Sequence, residues 1–194
     1  MIVIVDYGLK DLPLNLDELK SFHSDLFISN CEVTIAKAEK IILPSTPKIK
    51  SAVKQLHILN LFSILRMLQK PILGIGTSMQ LMCEFIKKDS ATCLGMFELS
   101  SSMIEDSTAI NQVDGNIKIK KIKPSLLLNN IGEDEMFYLN TQYFIPKNIL
   151  TTSVIFDNPD ISASIEKDNF FAVQFDPFSS GDSGKKIIEN FINL

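Results

Sequence analysis

The chain opens with an unbroken apolar run, Ile2 to Val5, which ends at Asp6-Tyr7-Gly8. A run without alternation predicts a strand buried on both faces of a sheet. The same logic predicts further strands at Leu26 to Ile28 and Lys40 to Leu43. Between them, a helix entered at Pro13 runs to about Phe22, and a short helix covers Glu32 to Ala38. Pro44-Ser45-Thr46-Pro47 then forms a stiff loop, and Ser51 to Gln69 reads as one long helix, apolar on most of its circumference. Such a helix is covered on two sides. Ile72 to Ile75 is another buried strand. It turns at Gly76 into a helical pattern that carries Leu81, Met82, Phe85 and Ile86 on one face and ends near Lys87.

Strand and helix alternate up to this point, which predicts an α/β fold with a mostly parallel central sheet flanked by helices. The second half is β-rich. Met96 to Ile104, Ile117 to Ile122, Met136 to Ile145, Thr151 to Phe156 and Ile161 to Glu166 read as strands joined by short turns. Phe170 to Phe175 is a buried strand that returns to the main sheet, and the polar stretch 179–183 caps a last helix that reaches Phe191. With 194 residues, no internal repeat and no linker-like composition, the chain is expected to form one domain over residues 1–194.

Composition narrows the function classes. A net charge of −4 and a pI near 5.2 speak against a nucleic-acid partner. The one basic run, Lys118, Lys120, Lys121 and Lys123, reads as a solvated strand edge. The apolar stretch Leu56 to Leu68 is interrupted by His57, Asn60, Ser63 and Arg66, so no membrane span is expected. The N-terminus lacks the basic segment and cleavage site of a secretory leader. Cys31, Cys83 and Cys93 are odd in number and lack metal-type spacing, which predicts reduced thiols in a cytoplasmic protein. No metal cluster and no phosphate loop occur, so no cofactor is expected. Of the two histidines, His23 is expected at the surface and His57 in a structural or interfacial place on the long helix.

A buried strand turning sharply into a helix is the frame of a nucleophile elbow. Its turn residue here, Gly76, has no side chain with which to attack. Around this frame the chain resembles the class I, triad-type glutamine amidotransferases (a flavodoxin-like fold). It is most similar to the glutaminase subunit of imidazole glycerol phosphate synthase. The resemblance rests on Ile4 to Leu12, Lys40 to Pro44, Pro71 to Ile75 with Met79 and Gln80, Phe171 to Phe175 with Pro177, and Ser180-Gly181 through Asn190-Phe191. It runs end to end and is loosest from about Ser100 to Leu139.

In such enzymes a Cys attacks the carboxamide of glutamine, a His acts as base and a carboxylate orients the His. The resemblance places these roles on Gly76, Asp176 and Phe178, so no catalytic residue is expected. The glycines of the oxyanion loop fall on Ser45 and Pro47, and a Pro has no N–H to donate. The glycine two positions past the elbow is Ser78, and the His-Ser pair of a later strand falls on Asn140 and Thr141. Thr77 and Ser78 read as helix-capping hydroxyls or, for Ser78, as a replacement nucleophile. Cys83 reads as core. Gln80, which the resemblance gives a role in holding glutamine, reads as a ligand contact or a local backbone cap. Ser45, Thr77, Ser78 and Gln80 are thus the candidate ligand-binding residues, and Asp6, Tyr7 and Gly8 the candidate partner interface.

Three functions are compatible with this pattern. The first is a subunit without glutaminase activity that docks or regulates a barrel-type synthase or cyclase; the family's pairing also occurs in relatives that aminate sugar nucleotides. The second is a module that holds glutamine or another small polar ligand in the old cleft. The third is an amidotransferase or hydrolase that attacks through Ser78.

Overall fold

A computed structural model describes residues 1–9, 26–87, 90–103 and 114–194. The helix expected from Pro13 to Phe22, His23, and Ile104 at the end of one expected strand lie outside these residues.

The buried runs form a nine-stranded sheet. β1 (Ile2–Val5) lies between β2 (Leu26–Ser29) and β3 (Lys40–Leu43), β4 (Ile72–Ile75) pairs with β3, and β13 (Phe170–Val173) pairs with β4. These five strands are all parallel. Beyond β13 the sheet continues antiparallel through β12 (Asn158–Lys167), β11 (Thr151–Ile155), β8 (Asp114–Lys121) and β9 (Met136–Asn140). The expected return of the last strand to the parallel block thus places it between β4 and the antiparallel arm.

Residues of the parallel strands alternate between two apolar layers. Val3, Val5, Ile41, Leu43 and Ile72 pack with α1 (Glu32–Lys37), α2 (Ile49–Ile58) and α3 (Leu61–Met67). Ile2, Ile4, Ile42, Leu73 and Ile75 face the other way, towards Ile187, Ile188 and Phe191 of the C-terminal helix α5 (Gly181–Ile192). This two-sided burial is why the strands read as continuous apolar runs. In the arm, buried hydroxyls on β11 and β12 satisfy one another, Thr151 with Ser162 at 2.8 Å and Thr152 with Ser164 at 2.7 Å.

Several expected elements differ. The long helix from Ser51 to Gln69 is two helices, α2 and α3, broken at Asn60, whose φ of 58° is left-handed. Asn tolerates that conformation better than most residues, so the break is cheap there. The helix after the elbow is a single turn, α4 (Ser78–Leu81), and Cys83–Ile86 is a strand, β5. β5 joins β6 (Ala91–Thr92), β7 (Phe97–Met103) and β10 (Tyr143–Phe144) in a second, four-stranded sheet. The strand expected from Met136 to Ile145 is split into β9 and β10 by a turn in which Thr141 Oγ1 donates to the Tyr143 carbonyl at 2.9 Å. The basic run is only partly at an edge: β8 pairs with β9 up to Lys118 and with β11 over Ile119 to Lys121, and Lys120, Lys121 and Lys123 are exposed. Lys118 meets Asp134 at 2.9 Å, and Lys121 donates to the Ile131 carbonyl at 2.8 Å.

α5 starts earlier than expected, at Gly181, after a 3₁₀ turn over Pro177–Ser179. Gly184 makes this junction possible, since a Cβ there would lie 1.8 Å from the Pro177 carbonyl oxygen.

Candidate functional site

Parallel sheets present their sites at the carboxyl ends of the strands. Here those ends deliver Asp6 to Gly8 after β1, Pro44 to Pro47 after β3, Gly76 after β4 and Gln174 to Asp176 after β13. Between the last three and the 138–143 segment lies a cavity of about 360 Å³. Its walls include Ser45, Pro47, Gly76, Thr77, Tyr138, Asn140, Thr141, Gln142, Gln174 and Asp176.

The elbow retains its sharp geometry. Gly76 has φ +57°, its N–H donates to the Val173 carbonyl at 2.9 Å, and its own carbonyl accepts from the Met79 N–H at 3.0 Å. The space a side chain would need is occupied, because a Cβ on residue 76 would lie 2.5 Å from Ser45 Oγ and 2.9 Å from Ser45 Cβ. Ser45 is held there by Thr77: the hydroxyls are 3.2 Å apart, and the Thr77 N–H donates to Ser45 Oγ at 3.3 Å. Thr77 Oγ1 in turn donates to the Thr46 carbonyl at 2.6 Å and accepts from the Thr46 N–H at 2.8 Å. The Lys48 N–H is engaged by Thr46 Oγ1 at 3.2 Å, and Pro47 has no N–H.

An oxyanion hole in this architecture uses the N–H after the nucleophile and a second N–H from a neighbouring loop. In this chain the N–H of Thr77 and that of Thr46 both point into hydroxyls of the same clamp. Thr77 therefore lines the cavity, but its hydroxyl does not cap α4, the role expected from the sequence; it fastens the 44–47 loop to the elbow.

Ser78 and Gln80 are fully buried and do not line the cavity. Ser78 Oγ donates to the Pro44 carbonyl at 2.5 Å and lies 2.9 Å from the Tyr7 hydroxyl. Neither partner is a base. Gln80 Nε2 donates to Gln174 Oε1 at 2.6 Å, and Gln174 Nε2 donates to Thr141 Oγ1 at 3.2 Å. Gln80 therefore stands behind Gln174, which is the carboxamide that reaches the cavity. A polar residue inside the apolar run Phe171 to Phe175 was the signal for Gln174. Tyr138 carried no such signal.

Tyr7 is a correction to the expected interface. It is fully buried, and burial pushes its phenol well above the ordinary range while the Ser78 bond opposes that shift. Its hydroxyl lies 3.2 Å from the Pro44 carbonyl, so Tyr7 is a pillar under the loop. Asp6 and Gly8 reach solvent, with Asp6 Oδ1 accepting from the Gly8 N–H at 2.7 Å and Oδ2 from Asn30 at 3.3 Å.

Asp176, where the resemblance places the base, caps the 3₁₀ turn. Its Oδ1 accepts from the Phe178 N–H at 2.9 Å and its Oδ2 from Ser179 Oγ at 2.7 Å. Phe178, where the resemblance places the carboxylate, packs against the apolar layer that contains α5. Cys83 is buried and its thiol is pushed up, chiefly by burial. His57 is stacked on Phe62 with ring centroids 4.0 Å apart.

Elbow, loop and sheet order match a known class: residues 8–194 fit the family profile described as glutamine amidotransferase class-I, and the chain belongs to that family. Two solved structures share the fold. One is described as a glutamine amidotransferase (TM-score 0.75, 10% identity, covering 99% of this chain and 97% of that one). The other is a glutamine amidotransferase from Thermotoga maritima (TM-score 0.62, 10% identity, 99% and 82% covered).

Within the family the chain is HisH-like. Imidazole glycerol phosphate synthase subunit HisH 2 of Methanococcus maripaludis is 31% identical over 207 residues, covering 99% of this chain and 98% of the relative. Subunit HisH of Bacteroides fragilis is 30% identical over 192 residues (98% and 92% covered). That of Buchnera aphidicola subsp. Schizaphis graminum is 29% identical over 197 residues (100% and 99% covered).

Proposed function

We propose that this chain is an amidotransferase subunit that no longer releases ammonia from glutamine, kept to dock on and regulate a synthase or cyclase partner of barrel type. The observation that carries the reading is the filled elbow. Gly76 offers no nucleophile, Ser45 stands in the space of the missing side chain, and the Thr77 and Thr46 N–H groups are turned into hydroxyls. Losing a triad costs on the order of 10⁶ in turnover and leaves only what binding and the oxyanion hole supply. Here the donors of that hole are engaged as well. Attack through Ser78 is disfavoured by its burial and by partners that cannot take its proton.

Support for docking comes from relatives that are named as synthase subunits and match over nearly their full length. It also comes from the accessible Asp6 and Gly8 on the same edge of the parallel sheet as the cavity. The test is co-expression of the tagged full chain with a cyclase-type barrel subunit from the same organism. Stable co-elution, weakened by Asp6→Arg and Gly8→Arg, is expected; elution of the chain alone at micromolar concentration would contradict docking.

A further inference from the structure

The backbone and ionisable groups at the cavity beside the closed elbow are lopsided in hydrogen-bonding character. On the donor side, the Thr77 and Thr46 N–H groups are held by Ser45 and Thr77 hydroxyls, and Pro47 has none to give. Among the described residues, no Lys, Arg or His lines it. On the acceptor side stands the Asp176 carboxylate, which is half-buried. Its partners, the Phe178 N–H and the Ser179 hydroxyl, are both neutral, and each takes one position on one oxygen. An ionised carboxylate offers about four such positions, so each oxygen keeps one open. The Tyr138 hydroxyl, which could otherwise donate, is spent on Asp114 Oδ1 at 2.7 Å. The carboxamides of Asn140 and Gln142 complete the polar wall.

We propose that this cavity is a binding site for a small organic cation: a protonated amine against Asp176, with a short polar tail at the Asn140 and Gln142 carboxamides. The proposal rests on the reading that the elbow no longer acts on glutamine, and it names the ligand class that the altered cleft selects. A carboxylate-bearing ligand, glutamine included, would bring its charge beside the Asp176 carboxylate, with the Thr46 and Thr77 N–H groups already used. An ammonium group would bring donors to the one unbalanced charge. A cavity of about 360 Å³ suits a molecule of this size.

The test is calorimetric titration of the full chain with probes that share a carboxamide and a spacer of methylene groups. These are 4-aminobutanamide (cation), pentanamide (its neutral isostere) and 4-carbamoylbutanoate (anion). The cation is expected to bind at least roughly 10-fold more tightly than the neutral isostere, with no binding of the anion. Asp176→Asn should lower the affinity for the cation by roughly 10- to 100-fold and leave the neutral probe unchanged. Asn caps a helical turn about as well as Asp, so the fold should survive the substitution. The comparison of the probes on the unmodified chain stands in any case. Equal binding of all probes, preference for the anion, no binding at millimolar concentration or indifference to Asp176→Asn would each overturn the proposal. Glutamate formation from glutamine in the same preparation would sink the inactive reading itself. Absence of binding in a chain that makes no glutamate would sink only the cation site.

Discussion

Placing a thiol at the elbow is predicted to destabilise the fold unless Ser45 is trimmed at the same time. In Gly76→Cys the new Cβ meets Ser45 Oγ at 2.5 Å and Ser45 Cβ at 2.9 Å. Rotating Ser45 about χ1 moves the oxygen but leaves its Cβ in place, so the 44–47 loop must shift. That loop is tied down by Thr77 and by Tyr7 under Pro44. The left-handed φ adds about 1–2 kcal/mol for a residue with a Cβ, and overpacking of this kind about 1–3 kcal/mol. Gly76→Cys should therefore lose about 2–5 kcal/mol.

Ser45→Gly alone loses its bonds to Thr77, about 0.5–1.5 kcal/mol. In the double variant the overpacking disappears while the φ strain remains, which gives a total loss of about 1.5–3.5 kcal/mol. The two substitutions should then couple favourably by about 1–3 kcal/mol. Urea unfolding of all four proteins measures this; the chain has no Trp, so far-UV circular dichroism is the signal. Strict additivity of the two losses would refute the claim that Ser45 occupies the missing side chain's space.

Two further outcomes test other parts of the account. Gly184→Ala replaces a helical Gly, a change that propensity alone would make stabilising by about 1 kcal/mol. The Pro177 carbonyl 1.8 Å from the new Cβ should reverse the sign to a net loss of about 2 kcal/mol, read as a lower urea midpoint. Cys31 is exposed, and backbone hydrogen bonds led by Thr34 hold its thiol below the usual range, whereas Cys83 is buried and pushed up. Iodoacetamide at neutral pH should label Cys31 in the native chain and Cys83 only after unfolding, with mass spectrometry as the readout; rapid native labelling of Cys83 would contradict its place in the core.

The parallel block was legible because strands buried on both faces carry no alternation to misread. The elbow was legible because a Gly follows such a strand directly. The residue after the elbow turn was harder. Leu81, Met82, Phe85 and Ile86 suit a helix face, but a short apolar run does not distinguish helix from strand. Pairing of Cys83 to Ile86 with β7 decided it as a strand. The interior position of Tyr7 was available in principle, since Val3, Val5 and Tyr7 all pack in one layer and continue the strand's alternation past its end. The clamp between Ser45, Thr46 and Thr77 was not available. A hydroxyl whose partners, a backbone N–H and a second hydroxyl, lie 31 and 32 positions away leaves no local trace, and only the fold brings them together. The same holds for the chain from Gln80 through Gln174 to Thr141.

The most direct measurement is glutamate formation from L-glutamine by the purified chain, alone and together with the co-expressed subunit of the docking test. A filled elbow predicts no rate above the buffer blank in either state and no change on Ser78→Ala. Steady turnover, above all turnover abolished by Ser78→Ala, would contradict it.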